Sequence, residues 1–170
     1  MESLAKLVQS NPGHVEAHEE LALRAPPAER KDREAALASW RQVRDRIREI
    51  ERDLQTVPLE ESGERYLEVG KLCLKRREPV AFAFLFLAAD LLPRNSEPLQ
   101  LLLAGMKQSQ DIFIRLHLLR RLLLIEPDNA AAHEEIVSHS LKFQVRLDEA
   151  ARLAARLHEM APSGTSYRLR

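Results

Sequence analysis

Residues 15–25 of the chain read VEAHEELALRA, and residues 130–140 read AAAHEEIVSHS. Both stretches contain Ala-His-Glu-Glu, and both follow a proline-containing turn, SNPGH before the first and IEPDN before the second. His18 lies six residues beyond Pro12, and His133 lies six residues beyond Pro127. A sequence motif that recurs at the same distance from a proline indicates an internal repeat. An internal repeat of this kind decides the fold class.

The spacing of later prolines supports this repeat. Pro93, Pro127 and Pro162 are 34 and 35 residues apart, and each follows an apolar run with helical period. Because proline cannot continue an α-helix, each position predicts a helix end followed by a turn. The sequence therefore predicts helix hairpins that recur along the chain.

Composition excludes several classes of protein. The 170 residues contain 26 Lys and Arg against 26 Asp and Glu, which argues against a nucleic-acid binder that works through a basic field. The lone Cys73 cannot form an internal disulfide framework, so we expect a cytoplasmic protein. No apolar run approaches the roughly 20 residues of a transmembrane helix, and the N-terminus does not read as a signal peptide. We expect no membrane association.

The residues around these prolines resemble the tetratricopeptide repeat (TPR), a unit of two antiparallel helices, A and B, with small residues where the helices touch. Ala81, Leu85 and Ala88 match the small, large and small positions of helix B before Pro93, and Gly70 matches the small position of helix A. The last repeat matches in the same way at Ala150, Ala154, Leu157 and Pro162. The middle repeat is poorer, with Arg115 where alanine is expected and Leu103 where glycine or alanine is expected.

This resemblance implies an all-α fold, a right-handed α-solenoid of three to four antiparallel hairpins in a single domain, 1–170. The predicted parts are a trailing half-repeat or cap (1–12), a first repeat with an elongated second helix (13–57), three further repeats (58–93, 94–127, 128–162) and a tail (163–170). The predicted helices are 3–10, 14–25, 31–55, 59–76, 80–92, 97–108, 112–125, 130–142 and 146–160.

Two segments depart from the family pattern. Residues 1–12 look like the closing half of a repeat, which predicts a piece of a longer array in preference to a natural cap. Pro58 follows Ala35 by 23 residues, so the second helix of the first repeat has about three turns more than the pattern requires. Its extension carries Ile47, Ile50 and Leu54 in one apolar stripe. We predict that this stripe is a second interface, covered by preceding helices, a partner or a second copy.

No constellation of residues indicates catalysis, a cofactor or a metal. His14 and His18 are four residues apart and could face one ion, but no Cys or third His completes a ligand set, so a packing role is favoured. Cys73 lies on the apolar face of its helix, which favours a buried, inert thiol. Adjacent carboxylates such as Glu134 and Glu135 point to different helix faces and cannot act as an acid/base pair. We predict a protein that is not an enzyme.

The resemblance implies a protein-interaction scaffold that binds a partner segment along a concave surface lined by helix A. The corresponding positions here are Glu16, Glu19, Leu23, Glu64, Leu67, Lys71, Leu74, Glu97, Gln100, Ala104, Lys107, Glu134, Ser138 and Leu141. Five of these are glutamate, which predicts a basic partner segment with apolar anchors. Glu19 stands where some family members have the first residue of a carboxylate clamp, so binding of a chain terminus is not expected.

Two other functions stay open from the sequence. The chain could be the helical-repeat accessory domain of a larger enzyme, or an RNA binder built from related hairpins. The neutral charge weighs against RNA. Self-association through the long helix is a further hypothesis within the scaffold interpretation.

Overall fold

The computed structural model describes residues 2–106 and 111–160. Every regular element in these ranges is helical, and the chain divides into two compact units, residues 1–92 and residues 93–170. In the first unit a 3₁₀ turn, Leu59–Glu61, precedes α4, and the α-helices are α1 (Glu2–Ser10), α2 (Val15–Arg24), α3 (Pro27–Leu54), α4 (Gly63–Lys75) and α5 (Ala81–Leu91). In the second unit they are α6 (Glu97–Gly105), α7 (Ile112–Ile125), α8 (Ala130–Phe143) and α9 (Leu147–Met160).

Consecutive helices pack against each other within each unit. Six of the nine predicted helices are found within one residue of their expected bounds, and three differ by more. The helix expected over 97–108 ends at Gly105, with Met106 as its C-cap. The long helix α3 begins at Pro27 and not at residue 31, because proline lacks an N–H and has a fixed φ, both of which suit the first turn of a helix. The helix expected from residue 59 begins at Gly63, since Ser62 Oγ donates to the Pro58 carbonyl at 2.8 Å and holds a tight turn there.

Close helix packing in the first unit occurs at the small residues identified from the sequence. Ala81 and Ala88 of α5 are fully buried, and so is Leu85 between them. Gly70 of α4 faces Leu85 so closely that an added Cβ atom would lie 2.8 Å from the Leu85 Cδ2 atom. The small residues therefore let α4 and α5 approach, and the leucine fills the remaining space.

The second unit buries a separate set of apolar side chains. Leu102 of α6, Leu118 of α7 and the pair Ile136 and Val137 of α8 have no exposed surface, and Ala150 of α9 is also buried. One helix pair cannot bury its apolar face alone, so each added helix completes the cover of the one before it. Lys107, Pro162 and the predicted tail, 163–170, lie outside the described residues.

The repeated Ala-His-Glu-Glu phrase starts α2 and α8 in the same way. The ring of His18 donates from Nε2 to the Pro12 carbonyl at 2.8 Å, and His133 donates to the Pro127 carbonyl at 2.7 Å. Nε2 is the donor because a carbonyl oxygen can only accept. Both rings are buried. The Ala-His-Glu-Glu motif thus has a structural role, because its histidine joins the first turn of the helix to the preceding proline turn by a hydrogen bond.

The residue two positions after each of these prolines caps the helix. His14 Nδ1 accepts from the Ala17 N–H at 3.2 Å, and Asn129 Oδ1 accepts from the Ala132 N–H at 3.0 Å. Such caps satisfy an N–H group that has no partner inside the helix. In residues 2–106 and 111–160, no helix is both long enough and apolar enough to cross a lipid bilayer.

Candidate functional site

The described residues form three open clefts that contain positions predicted for the partner-binding surface. The first, the α2–α3 cleft, has a volume of about 480 Å³ and is lined by Glu19, Ala22 and Leu23 of α2 and by Arg30, Glu34, Leu37 and Arg41 of α3. Leu23 is 75% exposed at its edge. The carboxylate of Glu19 accepts from Arg41 at 2.7 Å, so the negative charge predicted at this position is neutralised by a cation on α3.

The second, the α3–α4 cleft, is the most polar of the three. Its volume is about 370 Å³, and it contains the predicted residues Glu64, Leu67 and Lys71. Leu67 is almost completely buried at its base, so it belongs to the core of the first unit. Arg46 donates to both carboxylate oxygens of Glu68, at 2.7 and 2.9 Å. These hydrogen bonds lower the pKa of Glu68 and keep the pair ionised.

The third, the α6–α8 cleft, lies wholly in the second unit and has an apolar base. Its volume is about 240 Å³. Leu103, Leu119, Leu122 and Ala132 form the base, all of them buried. Gln100 and Ala104 of α6, both predicted for the partner surface, form one wall, and Ala131 and Glu135 of α8 form the other.

Polar groups at the edge of the α6–α8 cleft are already hydrogen-bonded within the chain. Gln100 donates to Glu126 at 2.8 Å, and Asn129 donates to the other oxygen of the same carboxylate at 2.6 Å. A hydrogen bond from Ser96, together with those from Asn129 and Gln100, lowers the pKa of Glu126. A ligand in this cleft would therefore meet an apolar base and a rim whose polar groups need no further partner.

Arg115 explains why the α6–α8 cleft exists. It stands where the repeat pattern expects alanine, and its guanidinium binds both carboxylate oxygens of Glu135 and donates to the Leu103 carbonyl at 2.8 Å. Burial favours the neutral form of Glu135, but the Arg115 guanidinium outweighs it and lowers the pKa of that carboxyl. A long side chain at a small-residue position keeps the helices apart beside it, and the space that remains above the buried leucines is the α6–α8 cleft.

Other predicted surface residues lie outside these three clefts. Glu16 is exposed, with His14 at 3.3 Å. Glu134 and Ser138 are exposed on α8, while Leu74, Glu97 and Leu141 are half-buried. Leu74 packs against the apolar core of the first unit.

The predicted second interface was wrong, because the stripe on α3 is internal. Ile47 and Ile50 are buried in one cluster with Val69 and Cys73 of α4, and Leu54 packs against that cluster. The α4–α5 pair therefore covers the far end of the long helix. Cys73 is buried in the same cluster, and desolvation raises its pKa to about 12, as the sequence reasoning about an inert thiol expected.

Sequence reasoning missed the cations that face glutamates of the helix-A elements, including the predicted Glu19. Arg41 and Arg46 of α3 and Arg115 of α7 each bind a carboxylate on a neighbouring helix A. In the described residues, no three His, Cys, Asp or Glu side chains converge as a metal site would need. The available signal was the density of arginine on α3, but its partners depend on how the helices are offset.

Comparison with known proteins bears on the fold. No family model and no curated protein sequence matches the chain. Two crystal structures of MamA superpose with TM-scores of 0.52 at 15% and 16% sequence identity; the matches cover 95% and 99% of this chain and 86% and 85% of MamA. A crystal structure of YrrB, described as a TPR protein with an unusual peptide-binding site, matches at 13% identity with a TM-score of 0.48, over 94% of this chain and 75% of YrrB.

At these identities the likeness to MamA shows the fold alone. The predicted fold class, an all-α, TPR-like helical repeat, is confirmed.

Proposed function

We propose that the chain is a non-catalytic protein-interaction scaffold, and that it binds a segment of a partner protein with an apolar anchor in the α6–α8 cleft. The observation that carries this proposal is the chemistry of that cleft, whose base is apolar while its polar rim is hydrogen-bonded within the chain. An apolar side chain would gain binding free energy in such a cleft by burial, whereas a polar side chain would find no free hydrogen-bonding group among the described residues of the rim. Burying a leucine-sized or phenylalanine-sized side chain stabilises a complex by about 1.5–3 kcal/mol.

The wall of the cleft continues along one face of α8. Ala131 lines the cleft, and Glu134, Ser138 and Leu141 follow it at intervals of three, four and three residues, which places all four on one side of a helix. Glu134 is exposed, and the described residues contain no ion-pair partner for it. We infer that the partner segment runs along this face and carries Lys or Arg beside its apolar anchor.

The first unit contributes less negative charge than the sequence suggested. Glu19 is paired with Arg41, so reversing it would break an internal ion pair as well as any contact with a partner. Glu64 is exposed and unpaired among the described residues. The preference for a basic segment is therefore assigned to Glu134, which shares a face of α8 with the cleft residue Ala131 and can be reversed to Lys without loss of an internal bond.

A cleft-filling substitution tests the proposal. Ala131→Trp places an indole over the base of the α6–α8 cleft from an exposed position, so the fold should persist. Ala155→Trp makes the same change at an exposed position of α9 outside the cleft and serves as the matched control. Proteins captured from a cell extract by the wild-type chain would be compared with those captured by each variant, with circular dichroism as the check of folding.

We expect a partner that the wild type and Ala155→Trp retain and that Ala131→Trp loses by about tenfold or more, because blocking an apolar anchor removes roughly 1.5–3 kcal/mol. Reversing Glu134 to Lys should weaken binding of the same partner, and the binding that remains should depend less on salt. If every captured protein binds Ala131→Trp as well as it binds the wild type, the cleft is not the binding site and the proposal fails.

A further inference from the structure

The start of α3 runs past the end of α2 and forms a ledge. Glu19 pairs with Arg41, and Ala22 shares an apolar cluster with Leu37. Because α2 and α3 are antiparallel, these contacts place the end of α2 at Arg24 level with about the second or third turn of α3. Residues 27–34, here called the α3 ledge, therefore extend beyond α2, and all but Arg33 are exposed.

One face of the ledge has the spacing of a helix–helix seam. Pro27, Arg30, Glu34, Leu37 and Arg41 follow one another at intervals of three, four, three and four residues, the period that keeps one line of side chains against a neighbouring helix. Arg30, Glu34 and Leu37 line the α2–α3 cleft beside Leu23. Leu23 is 75% exposed there, so this apolar surface has no cover within the part of the chain that the structure describes.

The two charges at the centre of the seam have no internal partner among the described residues. The side chains of Arg30 and Glu34 make no ion pair or hydrogen bond there, although neighbouring charges do: Arg33 pairs with Glu29 at 3.6 Å, and Arg41 pairs with Glu19. Arg30 and Glu34 are one helical turn apart, with opposite charge and the same face. A helix that lay antiparallel to this face could satisfy both.

We propose that a second copy of the chain docks on the α3 ledge, antiparallel about a two-fold axis, so that Arg30 of each copy faces Glu34 of the other. The seam is self-complementary in this arrangement, which is the requirement for an interface between identical copies. The same register brings Pro27 of one copy level with Leu37 of the other. Leu37 is buried in its own copy, so Pro27 and the exposed Leu23 supply the apolar contacts and the two ion pairs lie between them. Leu23 of each copy is covered at the same time.

This proposal does not depend on the proposed function, because the ledge belongs to the first unit and the α6–α8 cleft belongs to the second. It has one consequence for that function. A second copy on the ledge fills the α2–α3 cleft, including the predicted positions Glu19 and Leu23. The α3–α4 and α6–α8 clefts would then be left for a partner segment.

Charge reversal and mixing test the arrangement on the full chain. Sedimentation equilibrium would compare the wild type with Arg30→Glu, Glu34→Arg, their equimolar mixture and the doubly substituted chain. Each single variant brings like charges together at both symmetry-related contacts, and we expect its self-association to be about tenfold or more weaker. In the mixture, one copy is negative and the other is positive at both positions, so both ion pairs form again and association should return as a heterodimer. The double variant, which swaps the two charges, should associate like the wild type.

Arg33→Glu is the matched control, since it reverses a charge on the ledge but outside the seam. It should leave self-association unchanged, and circular dichroism should show that all variants fold. A wild-type chain that stays monomeric at every concentration would overturn the proposal. So would single variants that associate like the wild type, or a mixture that stays monomeric.

Discussion

The close approach of α4 and α5 can be tested by one substitution made in two backgrounds. A Cβ atom added at Gly70 of α4 would lie 2.8 Å from Cδ2 and 2.9 Å from Cγ of Leu85, and 3.4 Å from the Leu85 backbone nitrogen. Leu85 has no exposed surface, so its side chain cannot turn out into solvent. Gly70→Ala must therefore push α4 and α5 apart or force Leu85 from its rotamer.

Two effects of opposite sign determine the outcome. Alanine is favoured over glycine inside a helix by about 1 kcal/mol, while overpacking a well-packed core costs about 1–3 kcal/mol. We expect Gly70→Ala to lower the free energy of unfolding by up to about 2 kcal/mol. Leu85→Ala alone should cost about 2–5 kcal/mol, but it removes the atoms that the new Cβ meets. In that background Gly70→Ala should raise the free energy of unfolding by about 1 kcal/mol.

Urea unfolding of the wild type, the two single variants and the double variant gives the four free energies of unfolding that make up a double-mutant cycle. Far-ultraviolet circular dichroism would follow the helices. The fluorescence of Trp40, the single tryptophan, would follow the first unit, because its half-buried ring lies 6.2 Å from that of His18. We expect Gly70→Ala to lower the free energy of unfolding in the wild type and to raise it in Leu85→Ala. If Gly70→Ala stabilises both the wild type and Leu85→Ala, then α4 and α5 do not pack closely at Gly70, and the repeat alignment at this helix pair is wrong.

Three further predictions concern other parts of the chain. Gln144 follows α8 with a φ of 53°, and its replacement by Gly, but not by Ala, should stabilise the chain by about 1 kcal/mol in thermal unfolding, because only glycine adopts this conformation without strain. Hydrogen bonds from Arg120 lower the pKa of Glu149, so this pair stabilises the fold above the ordinary carboxyl pKa and loses its effect as pH falls through the lowered value; Glu149→Gln should therefore flatten the decline of the urea midpoint from neutral pH to about pH 3. Ile47→Glu combined with Ile50→Glu should abolish cooperative unfolding of the first unit, since it buries two unpaired charges; a folded double variant with altered self-association would instead return this stripe to the surface.

Much of the fold could be predicted because prolines and helix caps act locally. Helix α7 was expected over 112–125 and is found at Ile112–Ile125, where Asp111 caps its start and Pro127 follows its end. The small positions at Gly70 and Ala88 were also identified correctly, since only small residues fit where two helices approach closely. The start of α3 was missed because Pro26-Pro27 reads equally well as the end of one helix and the beginning of the next.

The candidate site was less predictable, because its electrostatics depend on tertiary offsets. Glu19 and Arg41 are 22 residues apart, and so are Arg46 and Glu68, yet these pairs form only because α3 is long enough to contact α2 with one half and α4 with the other. A repeat pattern assumes helices of equal length at equal height. The insertion in α3 breaks that assumption, so the charges could be assigned to a face but not to partners.

Both surfaces proposed for binding occur where the chain departs from the repeat pattern. Where the pattern is kept, as at Gly70, Ala81 and Ala88, small residues bring the helices into close contact. Arg115 replaces a small residue, and the guanidinium that binds Glu135 leaves an apolar cleft beside it. The early start of α3 at Pro27 extends this helix beyond α2 and leaves Arg30 and Glu34 exposed, with no side-chain partner among the described residues. In a degenerate array, mismatches to the pattern add clefts and unpaired charges to the surface that every repeat presents, so they are the first positions at which to look for the function particular to this chain.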